Sequence, residues 1–412
     1  MIRKNCLIIA SIASLLAYCK TPDNQLNDNR IFNIDVENCK TLIDLKLSDL
    51  IDSCWLIPLE TTEESVLAEY IRYIHVANDY IVIDNNEGMF LFTKNGKFIN
   101  KLIVGRAPDE LSISHSIFYY DKEDLIFINN RYTNENKLLC YDVKSQTFRP
   151  PINKCLTNQW DDFIIYQDSL IMASPSLLNP DQDPNPYAFF VQNFEGNFLS
   201  GVNSTRMFRT NKQEELLQRM LFYCGDQNIH VKYVFDDTLF TLKGNQLSPY
   251  LILQFKEAQD FAPNMTPEIG DTRSFFEKNE NYSFLIFRIA TYEGLIPFKP
   301  GAMKAVYKNV YFLLDKSNGE YGIIKSYIDD FVGNSQSNEN ESMSFPTSLR
   351  NNRLYVAYRP NELMQKESSI RLNRNFPESL YSHYNRIKAN LTDTDNPILL
   401  IGIPKSKFLI PR

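Results

Sequence analysis

A hairpin that returns about every fifty residues constrains this 412-residue chain more than any other feature. In Leu91–Phe98 an apolar alternation meets Asn95-Gly96 and resumes, which reads as strand, two-residue turn, strand. The same arrangement recurs in Tyr141–Phe148, in Val191–Phe198 and in Phe240–Leu247, so that Phe98, Phe148, Phe198 and Leu247 hold one place after the turn. A fifth copy, Phe312–Tyr321, follows a longer gap. A unit of this length repeated along a chain signals a stack of identical supersecondary pieces, none of which can bury its apolar surface alone.

Each early copy has further strands ahead of it. Asp79–Asp84, Asp124–Ile128 and Asp168–Met172 alternate just upstream of the first three hairpins, and Tyr70–Val76 adds a fourth strand to the first. Four antiparallel strands per unit is the pattern of propeller blades. The chain is 13% aromatic, with 28 Phe and 23 Tyr, and such rings suit pleated, buried surfaces. Asn352–Tyr358 supplies a sixth candidate. The expected fold is therefore all-β: a single six-bladed β-propeller of four-stranded antiparallel blades, with seven blades as the alternative. The apolar run Asn396–Pro404 and the alternating run Ile31–Val36 are the terminal strands available to close the ring and remove free edges. Short helical insertions are expected at Asn211–Tyr223, within Lys256–Asn281 from a start near Thr266, and from Pro377, where Leu380, Tyr384, Ile387 and Leu391 form one stripe.

The first residues obey a different logic. Arg3 and Lys4 precede thirteen uncharged residues, Cys6–Tyr18, too short an apolar stretch to span a bilayer and suited to a secretory leader. The stretch ends Leu16-Ala17-Tyr18-Cys19, which resembles a bacterial lipobox; lipidation at Cys19 is set against an ordinary cleaved leader. The expected organisation is a lipoprotein signal peptide at 1–19, a polar tether at 20–30, the propeller at 31–405 and a tail at 406–412. Formal net charge is −7, or −9 without Arg3 and Lys4, and no basic stripe exists, so nucleic acid is an unsuitable partner. The five cysteines after Cys19 are an odd number with no two-residue spacing, and are expected to be buried and unpaired.

Five local features carry a resemblance. Leu56–Thr62, Ile83-Asp84, Asn95–Phe98, the turn Gly105–Glu110 and Asp395-Asn396-Pro397 are similar to the corresponding stretches of the six-bladed propeller lipoproteins of Bacteroidetes-type bacteria, relatives of the NHL-repeat propellers. The resemblance covers roughly residues 50–405. It implies a lipid-anchored propeller in the cell envelope, at the outer membrane and facing the periplasm or the surface; membrane contact is through the lipid anchor only.

Chemistry is sparse. The sequence holds no phosphate-binding glycine loop and no Gly-x-Ser-x-Gly elbow, and the four histidines, 75, 115, 230 and 383, lie at no metal-ligand spacing. The candidates follow from geometry instead, since the innermost strand of every blade lines the channel. Arg72 and His75 fall in the innermost strand of the first blade, with Arg288 as a possible equivalent, and an arginine inside an apolar strand requires a partner or water. Asp84, His115 and Asp162 are placed at the channel mouth. The acidic doublets 161–162, 236–237 and 329–330, like Asp181 and Asp183, read as turn chemistry with calcium as the sharper alternative. No catalytic or metal-ligating residue is assigned, and no cofactor is expected beyond that calcium alternative. The expected function is a monomeric, non-catalytic binding module for a glycan, a peptide or a partner protein. The alternative is a metal-dependent lactonase-like hydrolase or lyase at the channel mouth, where a cation would polarise a carbonyl or activate water.

Overall fold

In the computed structural model the repeat becomes six sheets. Described are residues 30–68, 71–103, 111, 115–130, 136–156, 162–166, 168–173, 187–203, 221–225, 228–232, 237–243, 246–256, 273–281, 283–299, 302–337, 348–350, 352–366, 370, 375–408 and 410. Residues 1–30 and 31–412 form separate units, and the second is the propeller.

Blade 1 is Ile71–Val76, Tyr80–Asn85, Gly88–Thr93 and Phe98–Ile103, innermost strand first. Blade 2 is His115–Tyr120, Leu125–Asn130, Lys137–Asp142 and Thr147–Asn153. Blade 3 is Asp162–Tyr166, Ser169–Ala173, Tyr187–Gln192 and Phe198–Asn203. Blade 4 is Leu221–Gly225, Asn228–Lys232, Thr238–Lys243 and Gln246–Gln254. Blade 5 is Arg273–Glu280, Phe284–Lys299, Ala302–Asp315 and Tyr321–Asp329. Blade 6 is Ser348–Arg350, Arg353–Tyr358 and Ile398–Pro404, completed by a strand from the N-terminal side.

That N-terminal side is a strap. Strand β1 (Phe32–Asp35) lies parallel to the outer strand of blade 4, and β2 (Leu42–Lys46) lies parallel to the outer strand of blade 5. A single helical turn, α1 (Leu47–Leu50), leads to β3 (Ile51–Pro58), which pairs antiparallel with Ile398–Pro404. Ring closure therefore falls to β3, and the alternating run at 31–36 serves as a fifth strand on blade 4. Two of the expected helices are also corrected. Leu221–Tyr223, the end of the first, is innermost strand in blade 4, and Arg273–Glu280, inside the second insertion, is innermost strand in blade 5; the rest of both lies outside the described residues. In each case the local stripe loses to the need of a blade for its fourth strand. Helices α2 (Pro360–Gln365) and α3 (Glu378–Lys388) do form between strands of blade 6, and α3 buries the expected Leu380 and Tyr384.

Alternation explains the core. Side chains of successive strand residues point to opposite sheet faces, so each blade presents one face to the blade before and one to the blade after. Ile81 and Ile83 of blade 1 meet blade 6, whereas Val82 meets blade 2. The buried apolar residues accordingly fall into six clusters, one at each junction, including the closing junction of blades 6 and 1. The tail contributes too: Phe408 is buried between blades 5 and 6 and Ile410 packs against the same cluster. Each such side chain contributes about 1.5–3 kcal/mol on burial.

Residues from three of the stretches singled out in the sequence, 56–62, 95–98 and 395–397, converge on the closure. Asn396, almost wholly buried, donates through Nδ2 to the carbonyls of Glu60 and Ser65, both at 2.8 Å, and accepts the Leu67 amide at 2.9 Å. Glu60 accepts the Phe98 amide at 2.8 Å, and its own amide donates to the Gly96 carbonyl. Gly96 has φ +84°, and a Cβ there would lie 2.0 Å from the Pro58 carbonyl oxygen. One knot thus ties β3, the first hairpin and the last strand. We expect Asn396→Ala to destabilise the fold by about 2–4 kcal/mol, since it strands several buried backbone groups. Gly96→Ala should cost at least about 1 kcal/mol from backbone strain alone. Urea unfolding of both variants measures this.

The doublet Asp329-Asp330 is structural. Asp330 accepts the amide and hydroxyl of Ser48 at 3.0 and 2.5 Å and the Asn375 side chain at 2.6 Å, which joins strap, blade 5 and the helical insertion. Asp329 accepts the Phe331 amide and the Tyr358 hydroxyl, at 3.1 and 2.8 Å. Burial nevertheless pushes its carboxyl up to about 6. Because the folded value exceeds the ordinary 3.8, folding takes up a proton between these values, and stability is lost as pH rises through about 6. Relative to Asp329→Asn, the native protein should therefore lose up to about 3 kcal/mol between pH 4 and pH 7, as measured by denaturant unfolding at each pH.

Candidate functional site

An antiparallel meander sorts its connections. First-to-second and third-to-fourth strand turns leave at one end of a blade, and second-to-third and blade-to-blade connections leave at the other. The turn end is uniformly tight, with links of two to five residues such as 77–79, 94–97, 167–168 and 193–197. Asp124, Asp168 and Asn352 occupy the left-handed region there, which explains the polar residue that opens these three repeats. Every longer connection between blade strands is at the loop end, including 104–114, 174–186, 204–220, 255–272 and 359–397. Blade 5 adds a projecting hairpin at that end: its second and third strands stay paired from Thr291↔Lys308 outward to Lys299↔Ala302, about 25 Å beyond the blade.

Polar residues gather at the loop-end rim of the second strands. Counted from the shared apolar alternation, one position is occupied in blades 1 to 6 by Asp84, Asn129, Ala173, Lys232, Arg288 and Ala357. In blade 1, Arg72 Nη2 lies 3.2 Å from Asp84 Oδ1 and donates to the Asn85 carbonyl at 2.5 Å. Asn85, fully buried, uses Oδ1 to accept the Glu87 and Gly88 amides and so fixes the tight turn beside them. Its Nδ2 has no partner among the described residues. In blade 2, Asn129 Oδ1 accepts Lys154 Nζ at 2.7 Å.

Of the residues chosen from sequence, Arg72 and Asp84 are brought together as an ion pair. His115 and Asp162 are the first residues of the innermost strands of blades 2 and 3, at the same end; their side chains lie outside the described residues. Arg288 is on the second strand of blade 5, in the register of Asp84 and not of Arg72, with its guanidinium 6.0 Å from the Tyr311 ring centre. His75 is at the opposite end: its Nε2 lies 3.2 Å from Asp121 Oδ1, and its ring stacks on Tyr119 at 4.6 Å. Asp161, Asp181, Asp183, Asp236 and the turn 105–110 lie outside the described residues.

Sequence reasoning passed over Asn129 and Lys154. Ile-Phe-Ile-Asn129 repeats Ile-Val-Ile-Asp84 and was the available signal. Lys154 offers none, since a lone lysine after Pro151-Ile152-Asn153 looks like any solvated lysine. A second polar network, also unsignalled, is interior to the junction of blades 4 and 5: His230 lies 3.3 Å from Glu280, Glu280 accepts Tyr250 and Lys316 at 2.5 and 3.0 Å, and Thr241 meets the other imidazole nitrogen at 3.0 Å. His230 and Glu280 are buried from solvent, so this network specifies packing. Cys39, Cys54, Cys140 and Cys155 are unpaired, but only Cys140 is fully buried; burial pushes the Cys54 and Cys140 thiols up to about 11. Among the described residues no three or more His, Cys, Asp or Glu side chains gather as metal ligands, and no helix is long and apolar enough to cross a membrane.

Comparison with known proteins supports the fold. A family described as a domain of unknown function, DUF4934, matches residues 31–402. No curated protein matches the chain. Among solved structures, a protein from Bacteroides fragilis described as exported aligns with a TM-score of 0.58 at 14% identity, covering 89% of this chain and 100% of its own. A DUF4221 family member from Bacteroides vulgatus aligns with a TM-score of 0.48 at 10% identity, over 86% of this chain and 97% of its own.

Proposed function

Because the chain belongs to the DUF4934 family, a domain of unknown function, function has to be argued from the surface, and we propose that the protein is an exported, envelope-tethered binding module whose loop end faces its ligand. The observation that carries this reading is the asymmetry of the two ends. Tight turns confine variation at one end, whereas the long connections, the projecting hairpin and the polar rim all share the other. Binding residues concentrate on loops held by a rigid scaffold, and six packed junctions make such a scaffold. A glycan, a peptide or a partner protein is the ligand class. Export is supported by the leader-like 1–18 and by the description of the Bacteroides fragilis neighbour; anchoring is supported by Cys19 alone.

Thermal unfolding against a panel of envelope glycans and peptides tests the module. A ligand of the folded state at one hundred times its Kd stabilises by about 2.7 kcal/mol. Replacing residues 292–307 with Asn-Gly leaves Thr291 and Lys308 joined by a two-residue turn and should preserve the fold while abolishing the ligand shift. A shift that survives this replacement but disappears with Asp121→Ala would move the binding face to the turn end and overturn the proposal. For the anchor, Cys19→Ser should release the protein from membranes into the soluble fraction of cells; unchanged membrane association would exclude lipidation as the tether.

A further inference from the structure

Several lysines of this fold sit beside carboxylates: Lys94 beside Asp79, Lys101 beside Glu87, Lys122 beside Asp168, Lys144 beside Asp124 and Lys316 beside Glu280, at 2.6–3.5 Å. Lys154 is held by an amide. Its ammonium donates to the neutral Asn129 amide, and no carboxylate among the described residues is within ion-pair distance. It is also partly buried, and that desolvation lowers its pKa to about 8. Partly withdrawing an ammonium from water is costly, so a position that merely tolerated lysine would let it swing into solvent.

The surrounding structure holds it in place. The Lys154 amide donates to the Asn136 carbonyl at 2.9 Å, and Asn136 Nδ2 returns a bond to the Lys154 carbonyl at 2.8 Å. On either side, Gln192 of blade 3, fully buried, donates to the Asn153 carbonyl at 3.0 Å and accepts the Cys155 amide at 2.9 Å. Asn129 is fully buried and shares a strand face with Phe127, a core residue of the junction between blades 2 and 3. The cation is therefore fixed by the buried Asn129 amide at the loop end of blade 2, and its backbone by the buried Gln192 amide beside the 193–197 turn of blade 3.

We propose that Lys154, aligned by Asn129, is the cationic anchor for a carboxylate group of the ligand, beside the junction of blades 2 and 3. The inference rests on the loop end being the ligand face. An ammonium has three donors, and Asn129 takes one, leaving donors for a carboxylate oxygen. The acidic chain as a whole repels anions at long range, so recognition is local and requires a ligand that brings further contacts.

The probes are trigalacturonic acid and its methyl ester, and a capped tri-glutamate peptide and its tri-glutamine counterpart, titrated into the whole chain by calorimetry. At least one acid should bind, with its neutral counterpart weaker by about tenfold or more, the worth of one charge-assisted hydrogen bond; which acid binds identifies the source of the carboxylate. Lys154→Met should lose the same factor and Lys154→Arg should retain most of it. Affinity should fall between about pH 7 and about pH 9.5 as the amine deprotonates. In the native protein, the bound acid should slow acylation of Lys154 relative to the exposed Lys94, a readout that needs no variant. Equal affinity for acid and neutral probe, an unaffected Lys154→Met, or no protection of Lys154 by either acid overturns the inference. If neutral probes bind and the hairpin replacement abolishes that binding, the anchor fails while the loop-end reading stands.

Discussion

A blade has two apolar faces and no means of covering either. Everything else in the molecule depends on this mismatch, because it forces blades to stack until the last meets the first. Six junction clusters then share the burial, and the one between blades 6 and 1 exists only if the ring closes. Closure in turn needs an outer strand for blade 6, which the chain supplies from β3, far from blade 6 in sequence. The entropy of bringing those ends together is offset by a full antiparallel ladder, and the buried Asn396 satisfies backbone groups that the junction would otherwise strand.

Much of this was legible because the repeat is enforced by local chemistry. The hairpin turn demands a residue that accepts the left-handed region, found at Gly96, Gln146, Gly196 and Gly319, and strand alternation follows from having a neighbour on both faces. What escaped was whatever depends on distant pairing. Leu221 and its neighbours carry an apolar stripe that fits a helix locally, yet blade 4 lacks an innermost strand without them. The alternation at 31–36 marks a strand correctly but cannot say which blade receives it.

The site was legible in a narrower sense. Arg72 stood out because an arginine in an apolar strand needs a partner, and Asp84, chosen for its place at the channel mouth, supplies it. Arg288 looked equivalent to Arg72 because both interrupt an apolar run; only the strand order shows that it sits one strand further from the axis. His75 shares a strand with Arg72, but the two lie near opposite ends of it and so belong to opposite mouths of the channel. The stretches that carried the family resemblance bear on closure more than on chemistry, since Glu60, Gly96 and Asn396 meet in the knot that joins first and last blades.

The strap has a mechanical meaning. A tension applied at residue 31 reaches the four-residue ladder of β1 first, then the five residues of β2, then the clasp between Ser48 and Asp330. Only after these have yielded does it bear on β3 and the ring itself. Detaching these strands lengthens the chain by up to about 3.5 Å per residue, and because Phe32 and Ile34 belong to the core between blades 4 and 5 and Ile43 and Leu45 to that between blades 5 and 6, each step also uncovers part of a junction. The outermost strands of this protein therefore form a graded series of attachments between residue 31 and the ring.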